Sequence, residues 1–397
     1  MMTQLNITLN LDDLKDKVES SSLESPVKAA LTILLNSMME KERDEYINAL
    51  SHERTEERRG YRNGYYEREL ISGAGSLRLK VPRTRDGEFS TTVFQRYKRC
   101  EQALIVSMME MVVNGVSTRK VTKIVEELCG KSVSKSLVSD LMKSLDPVVQ
   151  EWKDRPLHVF YYPYIYVDAM YIKVREHHKV VSKAVHIACG VNQKGDREII
   201  GLQITHGESE ESWVTFFDYL KSRGLSSPKM VISDAHTGLV SAIKKKFVGT
   251  SWQRCCVHLL RNMIEVMPKK GTEKARQELR AIFKATDLPS ARQLKNQFMT
   301  KYEDQKGFSK VIQKLDDGFD DATQFYAHDF KHYVHLRTTN VIERANEELR
   351  RREKVIRIFP HDQSAIRILG SVLMDMEERW KKQNRPYLGG LETTSNE

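Results

Sequence analysis

No run of roughly 18 apolar residues occurs in the chain, so no membrane-crossing helix is expected. Met1 to Thr8 has neither a basic start nor a long apolar core, which argues against a secretory signal. Cysteine is scarce: the five are scattered, and only Cys255 and Cys256 stand close together. So small and odd a number excludes a disulfide scaffold and fits a reducing, cytoplasmic compartment. There is no GxxxxGKS/T loop to cradle a nucleoside triphosphate and no GxSxG elbow for a serine hydrolase. What is present is ordinary for a folded protein. The 397 residues are 40% apolar and 8% aromatic, enough for two or three domains with a buried main core.

Lys and Arg outnumber Asp and Glu by 64 to 54, a formal net charge of +10. Net positive charge permits a polyanionic partner through counterion release, without identifying one. Its distribution says more. Residues 1–53 read as helical, with Pro26 able to open a helix on which Leu31, Leu34, Leu35 and Met38 recur at helical spacing. A charged, solvent-facing stretch, Glu40 to Glu45, follows; the segment suits an oligomerisation element or a small packed subdomain equally. Over residues 54–100, Arg58, Arg59, Arg62 and Arg68 interleave with Tyr61, Tyr65 and Tyr66 around an Asn63-Gly64 turn. Leu77 to Arg83 then alternates apolar and basic residues, as a half-exposed strand does. Such a strand offers Arg83 and Arg85 to phosphates, or is simply a charged solvent face.

Residues 101–150 read as all-helical. Ser117 caps a helix carrying Arg119, Lys120, Val121 and Val125, Gly130 breaks it, and Ser134 or Ser136 caps a second. The pair has the outline of a helix-turn-helix, with Ser136, Ser139 and Lys143 as contacts, though an ordinary helical hairpin looks the same. Past Trp152 strands and helices alternate. Strands are expected at Tyr162–Val167, Ala184–Val191, Glu198–Ile204 and Lys229–Ser233, and helices at Glu210–Leu220 and Thr237–Phe247. That succession predicts a mixed sheet in an α/β architecture. Val257 to Thr338 reads as helices separated by Pro268, Gly271, Pro289 and Gly307. Two more helices, Val341–Arg352 and Gln363–Trp380, precede a tail expected to fray after Arg385.

Asp168 and Asp234 each follow an apolar run read as a strand, and strand ends face a crevice in an α/β sheet. Glu343 lies on a helix near Arg344, Asn346 and Arg350. Three carboxylates could hold two Mg²⁺ ions about 4 Å apart, an arrangement that activates a nucleophile and stabilises the leaving oxygen of a phosphodiester. A strand-end Asp is also a common cap or turn residue, and composition does not separate Glu343 from Glu347, Glu348 or Glu353. Cys255 and His258 stand three apart with no second Cys/His pair at finger spacing, so a packing or hydrogen-bonding pair is the better reading than zinc. Arg350, Arg351, Arg352, Lys354 and Arg357 could hold a phosphate backbone without reading bases, or pair with neighbouring glutamates.

In order along the chain stand Tyr61-Arg62-Asn63-Gly64-Tyr65, Val81-Pro82-Arg83-Thr84-Arg85-Asp86-Gly87 and Gly115-Val116-Ser117-Thr118-Arg119. They are followed by Val167-Asp168-Ala169, Lys221-Ser222-Arg223-Gly224-Leu225, the stretch from Trp252 through Arg254-Cys255-Cys256-Val257-His258 to Asn262, and Thr339-Asn340-Val341-Ile342-Glu343. Together these segments resemble the Mutator-type transposases of bacterial insertion sequences across most of residues 54–382. The resemblance implies an RNase H-like, mixed-sheet catalytic domain at 157–257 and 339–382, interrupted by an all-helical insertion at 258–338. Helical and small basic DNA-binding domains would precede it and a flexible tail, 383–397, would follow.

The resemblance also implies an Asp-Asp-Glu triad, carried over to Asp168, Asp234 and Glu343 as catalytic and metal-holding residues for two Mg²⁺, with Mn²⁺ able to substitute. Cys255 and His258 match the family's Cys-x-x-His signature in a structural or site-shaping role, and His236 and Asn340 join them. Arg254 and Arg261 join the candidate DNA contacts. The implied partner is double-stranded DNA: transposon terminal inverted repeats, read by residues 54–146, and target DNA. The implied assembly is a homodimer or larger synaptic complex, nucleoid-associated and without a membrane. The implied activity is hydrolysis at the element's ends to expose 3′-hydroxyls, then their joining to DNA by transesterification, along a copy-out, paste-in route. An RNase H-like nuclease that cuts without joining, and a non-catalytic DNA-binding regulator, are the other readings. One departure stands out: many relatives have Asp-Gly after the second catalytic strand, whereas this chain has Asp234-Ala235-His236.

Overall fold

The computed structural model describes residues 26–72, 75–129, 134–383 and 385–391. The chain divides into two compact units, Met1–Lys143 and Ser144–Glu397. In the first, α1 (Pro26–Ile47) lies against an antiparallel hairpin of β1 (Arg62–Ser72) and β2 (Gly75–Thr84). The alternation in β2 sorts its side chains: Leu77, Leu79 and Val81 enter a core with Leu35, Met39, Leu70 and Val93, while Arg78 and Lys80 stay in solvent. The Glu40–Glu45 stretch is not the free charged face its composition predicts. Arg43 is buried there, bonded to Glu40 and to the Tyr65 hydroxyl, with its guanidinium 5.0 Å from the centre of the Tyr65 ring.

Three helices, α2 (Val93–Val113), α3 (Thr118–Cys129) and α4 (Lys135–Lys143), close a second small core of Met108, Val121, Val125 and Val138. Ser117 Oγ accepts from the Lys120 amide at 3.4 Å and Ser134 Oγ from the Leu137 amide at 3.1 Å, so serine side chains begin both helices. Gly130, the expected breaker, lies outside the described residues, as do residues 1–25 and 392–397.

The second unit, beginning with α5 (Asp146–Asp154), is built on a five-stranded sheet in the order β5-β4-β3-β6-β7. These strands are β3 (Tyr164–Glu176), β4 (Lys179–Val191), β5 (Arg197–Thr205), β6 (Met230–Ser233) and β7 (Ser251–Arg254). The pairs β3–β4 and β4–β5 are antiparallel, whereas β3–β6 and β6–β7 are parallel. Counted along the chain within this unit the order is 3-2-1-4-5, the RNase H-like arrangement. Helices α6 (Glu210–Ser222) and α7 (Thr237–Lys246) cover one face, where Trp213, Phe216, Phe217 and Ile243 pack on Ile165, Val167, Ala188 and Val231. Between β7 and the closing helices run α8 (Cys256–Glu265), α9 (Glu273–Ile282), α10 (Leu288–Tyr302), α11 (Ser309–Phe319) and a single turn, α12 (Tyr333–Leu336). Helix α13 (Asn340–Ile356) then lies against β3, and α14 (Asp362–Lys381) against β5.

Four expectations need correcting. The first strand does not stop at Val167: it runs on to Glu176 and turns through His177 and His178, both at positive φ, into a longer β4. A fifth strand, β7, was not foreseen; four residues are too few to show a period. Pro289 is no separator, because it sits in the first turn of α10, where a missing N–H costs nothing and Asp287 caps the Ser290 amide at 2.8 Å. Nor does the chain fray directly after Arg385. The amides of Tyr387 and Leu388 donate to Gly195 O at 2.8 and 3.0 Å, and Leu388 is buried.

Gly195 is what lets that segment dock. Its φ is +88°, and an added Cβ would stand 1.9 Å from Leu388 O. We expect Gly195→Ala to cost about 1–3 kcal/mol, read as a lowered urea midpoint, and to open the bond after Tyr387 to chymotrypsin. An unchanged midpoint with unchanged digestion would contradict this account of the docked segment.

Candidate active site

Parallel pairing between β3 and β6 covers Tyr164↔Met230, Ile165↔Val231 and Tyr166↔Ile232. Extending that register by two residues sets Asp168 beside Asp234, just past the point where the two strands stop bonding. Alternation settles the face. Ile165, Val167 and Val231 point into the α6/α7 core, so Asp168, in phase with Tyr166, points to the other side, where α13 lies. Asp168 is thus the fifth residue of a 13-residue strand and not a strand end.

Asp168 is well tied. Its Oδ1 accepts from the Ala169 amide at 2.8 Å and its Oδ2 from Asn346 Nδ2, on α13, at 2.7 Å. Burial, and then the neighbouring charge of Asp234, push its carboxyl up to about 7. Asp234 Oδ1 accepts from the His236 amide at 3.2 Å. Close by, Glu208 lies 3.6 Å from His236 Nδ1 and accepts from Trp213 Nε1 at 3.3 Å; burial raises its carboxyl too, with Asp234 adding to the effect. The half-buried Arg254 guanidinium faces Asp321, Asp234 and Asp317, and supplies positive charge there.

Glu343 occupies the first turn of α13. Its Oε1 accepts from Thr339 Oγ1 at 3.0 Å and lies 3.7 Å from His258 Nδ1. His258 is held above its ordinary range by the Cys255 thiol first, then by the charges of Glu343 and Asp168. Burial would push the Cys255 thiol up, but His258 and Thr339 outweigh it and the net shift is down. One ligand atom each from Cys255, His258 and Glu343 lie within 4.8 Å of one another, a cluster able to hold a metal ion. His258 therefore faces both Glu343 and Asp168.

Sequence reasoning overlooked Asn346 as a functional residue, and also Glu208 and Thr339. Asn346 had a signal: it sits three residues after Glu343 and shares its helix face. Glu208 lies in the loop between β5 and α6 and carries no pattern. Among the cationic candidates of this unit, Arg350 and Lys354 are exposed, Arg351 bonds Glu348 at 2.7 Å, and Arg352 is half-buried 3.9 Å from the same carboxylate. Arg261 and Asn340 line a groove of about 530 Å³ with Arg280, Lys284 and Arg337.

In the first unit, Arg62 is spent internally, donating to Asp44 and to the carbonyls of Ala49 and Leu50. Arg58 bonds the carbonyls of Glu53 and Gly60. Arg85 stacks 5.7 Å from the Tyr61 ring, Arg83 lies 5.4 Å from Tyr66 and Arg68 lies 4.1 Å from Phe94. Arg59, Arg119, Lys120, Ser136, Ser139 and Lys143 are exposed, and Lys143 pairs with Asp140.

By fold, then, this is an RNase H-like protein, in which the parallel strands β3 and β6 bring Asp168 and Asp234 into each other's field while Glu343, on α13, groups with Cys255 and His258. The chain belongs to the Mutator family of transposases, whose family model matches residues 2–383. It is 54% identical over 387 residues to the transposase for insertion sequence element IS256 in transposon Tn4001 of Staphylococcus aureus, covering 98% of this chain and 99% of the other. Identity is 39% over 359 residues to the transposase for ISRM5 of Rhizobium meliloti, at 90% and 89% coverage. It is 35% over 364 residues to the transposase for IS1081 of Mycobacterium tuberculosis, at 91% and 87%. Transposase activity on DNA follows from that membership. Among the described residues, no helix is long and apolar enough to cross a membrane.

The raised Asp168 carboxyl sets a pH dependence in protein freed of divalent cations. Between its ordinary 3.8 and about 7 the folded state keeps a proton that the unfolded chain has released. The folded state then binds more protons, so stability falls as pH rises across that window and levels off above it. Denaturant titrations between pH 4 and 7 should show this decline, by an amount of order 1 kcal/mol or more. In Asp168→Asn the decline should largely vanish; an equal slope in both proteins would remove the assigned cause.

Proposed function

We propose that Asp168, Asp234 and Glu343 are the catalytic carboxylates of a DNA transposase, and that they hold two Mg²⁺ ions, with Mn²⁺ able to substitute. The observation that carries this is the Asp168–Asp234 pair on one side of the sheet, with Asp168 held at about 7 by burial and by its neighbour. Two carboxylates in that state are short of positive charge, and their oxygen donors suit a hard cation. The orphaned, buried Oδ1 of Asn346 is a further oxygen beside them without a hydrogen-bond partner. Bound divalent cations would supply Lewis-acid stabilisation of the attacking and leaving oxygens of a phosphodiester.

The chain's own residues set the rest. Asn346 fixes the orientation of Asp168 through Oδ2, the His236 amide fixes Asp234, and Thr339 fixes Glu343. The proposed chemistry is hydrolysis of a phosphodiester at the element's end to leave a 3′-hydroxyl, followed by attack of that hydroxyl on a second DNA strand. Both steps exchange one P–O bond for another and need no covalent protein intermediate. The copy-out, paste-in route belongs to this proposal by family alone, since the strand chemistry is common to either route. Residues 54–146 are proposed to read the terminal inverted repeats, with Arg59, Arg119, Lys120, Ser136 and Ser139 the exposed candidates. A homodimer or larger assembly would bring two ends together.

Labelled end DNA, a target plasmid and Mg²⁺ test the reading directly. Asp168→Asn, Asp234→Asn and Glu343→Gln should each lose roughly 10²-fold or more in end cleavage and joining while still binding the ends. Joined product from the wild type excludes a nuclease-only role, and wild-type rates in all three variants would reject the carboxylate assignment. Asn346→Ala, which frees Asp168 Oδ2, should lower the cleavage rate by about 10–100-fold and raise the Mg²⁺ concentration needed for half-maximal rate. No change in either quantity would reduce Asn346 to packing.

A further inference from the structure

We propose that Cys255, His258 and Glu343 form a second cation site, specific for a thiophilic divalent ion of the zinc class, and that filling it inhibits the enzyme by taking Glu343 from the catalytic carboxylates. The inhibitory half rests on the triad reading above; the binding half does not. Among the described residues these side chains are the one grouping of three such donors close enough to share an ion.

The donor set argues for zinc and against magnesium. Mg²⁺ takes oxygen ligands and shuns sulfur, whereas Zn²⁺ accepts thiolate at about 2.3 Å and imidazole or carboxylate at about 2.0–2.2 Å. Donors of a tetrahedral ion at those lengths stand roughly 3.3–3.6 Å apart. His258 Nδ1 and Glu343 Oε1 are already 3.7 Å apart, and all three donors lie within 4.8 Å. Small side-chain shifts therefore close the site, and three protein ligands leave a fourth position for water.

The surroundings fit a thiolate ligand. Sγ of Cys255 accepts from the Thr339 amide at 3.4 Å, and Thr339 Oγ1 lies 3.2 Å from that sulfur and 3.0 Å from Glu343 Oε1. A hydroxyl carries one hydrogen, so it can serve only one of those two acceptors at a time. A cation between sulfur and carboxylate satisfies both. His258 Nδ1 is buried without a hydrogen-bond partner within normal geometry, and its nearest polar neighbours are the other two proposed ligands. The ligands come from elements that converge independently: Cys255 and His258 at the start of α8, Glu343 at the start of α13. Binding breaks the Cys255 S–H bond, releases that proton to solvent and forms the metal–sulfur bond, with no change of oxidation state.

Cobalt(II) is the probe, titrated into the reduced, metal-free full-length protein. One equivalent should develop a near-ultraviolet thiolate-to-cobalt band with tetrahedral visible bands, and Zn²⁺ should bleach both. The band should be absent in Cys255→Ser and persist in Cys256→Ser, and His258→Gln should weaken Co²⁺ at least about tenfold. Circular dichroism verifies folding. If Cys255→Ser does not fold, Glu343→Gln takes its place, with the same tenfold weakening expected. Absence of a sulfur band in the wild type, or its survival in folded Cys255→Ser, overturns the site. In the cleavage assay Zn²⁺ at one equivalent over Mg²⁺ should suppress the wild-type rate at least about tenfold, while each folded ligand variant keeps its own Mg²⁺ rate on zinc addition. A cobalt band without zinc inhibition would leave the ion bound and overturn its claim on Glu343. The two readings fail separately: Asp168→Asn should be inactive yet keep the cobalt band.

Discussion

Everything at the site follows from one constraint, the parallel register between β3 and β6. Once Tyr166 pairs with Ile232, the pleat sends Asp168 and Asp234 to the same side of the sheet, two residues further on. Burial first, and then repulsion by the neighbouring Asp234, leave the Asp168 carboxyl holding its proton up to about 7. The protein offsets these effects only in part. The Ala169 and His236 amides and Asn346 each donate a hydrogen bond, and the Arg254 charge acts on Asp234. No lysine or arginine is hydrogen-bonded to either carboxylate among the interactions of the described residues. Negative charge assembled with its neutralisation unfinished is the electrostatic ground of the cation binding proposed for these acids.

The sheet was legible in part. The apolar runs before Asp168 and Asp234 marked two buried strands, and the strand–helix succession was enough to predict a mixed sheet. The length of β3 was not read, although Met170, Ile172 and Val174 alternate with Tyr171, Lys173 and Arg175 in a regular period-two pattern. What hid it was the turn. His177-His178 has neither glycine nor asparagine, and both residues adopt positive φ against their own preference. Glu343 was beyond composition, since four glutamates crowd that helix. Their surroundings separate them: Glu343 meets His258 and Thr339, Glu348 pairs with Arg351, and Glu347 is exposed. Such differences depend on what packs against the helix, which no single-chain periodicity encodes.

Net charge proved a blunt guide for the same reason. In the basic, tyrosine-rich segment, Arg62 and Arg58 spend their donors on Asp44 and on backbone carbonyls, closing the loop between α1 and β1. They do the work of caps and turns. Arg83 and Arg85 instead lie with their guanidinium carbons over the exposed rings of Tyr66 and Tyr61. A residue type that reads as one basic cluster in the sequence thus divides into structural and free cations, and only the second kind can release counterions from a nucleic acid.

The helices between β7 and α13 raise a different question: how so long a helical segment can interrupt the sheet-bearing unit without loosening it. Its two ends are stitched together beside the acids. Cys255 N donates to Ser233 O at 2.8 Å, Cys256 N to Arg337 O at 2.9 Å, and Thr339 N to Cys255 Sγ at 3.4 Å. Buried Gln253 adds a second tie, accepting from Phe325 N at 2.9 Å and donating to Ala322 O at 2.8 Å. With the neck closed, further length within the insertion adds only about 0.6 kcal/mol of closure entropy per doubling, so its size is nearly free. The position of Glu343 then depends on the neck and not on the bulk of the insertion. Cys255 is the residue that ties both ends, through its amide to β6 and through its sulfur to the start of α13. Its proximity to His258 and Glu343 is therefore a consequence of how the chain is closed as much as of any chemistry performed there.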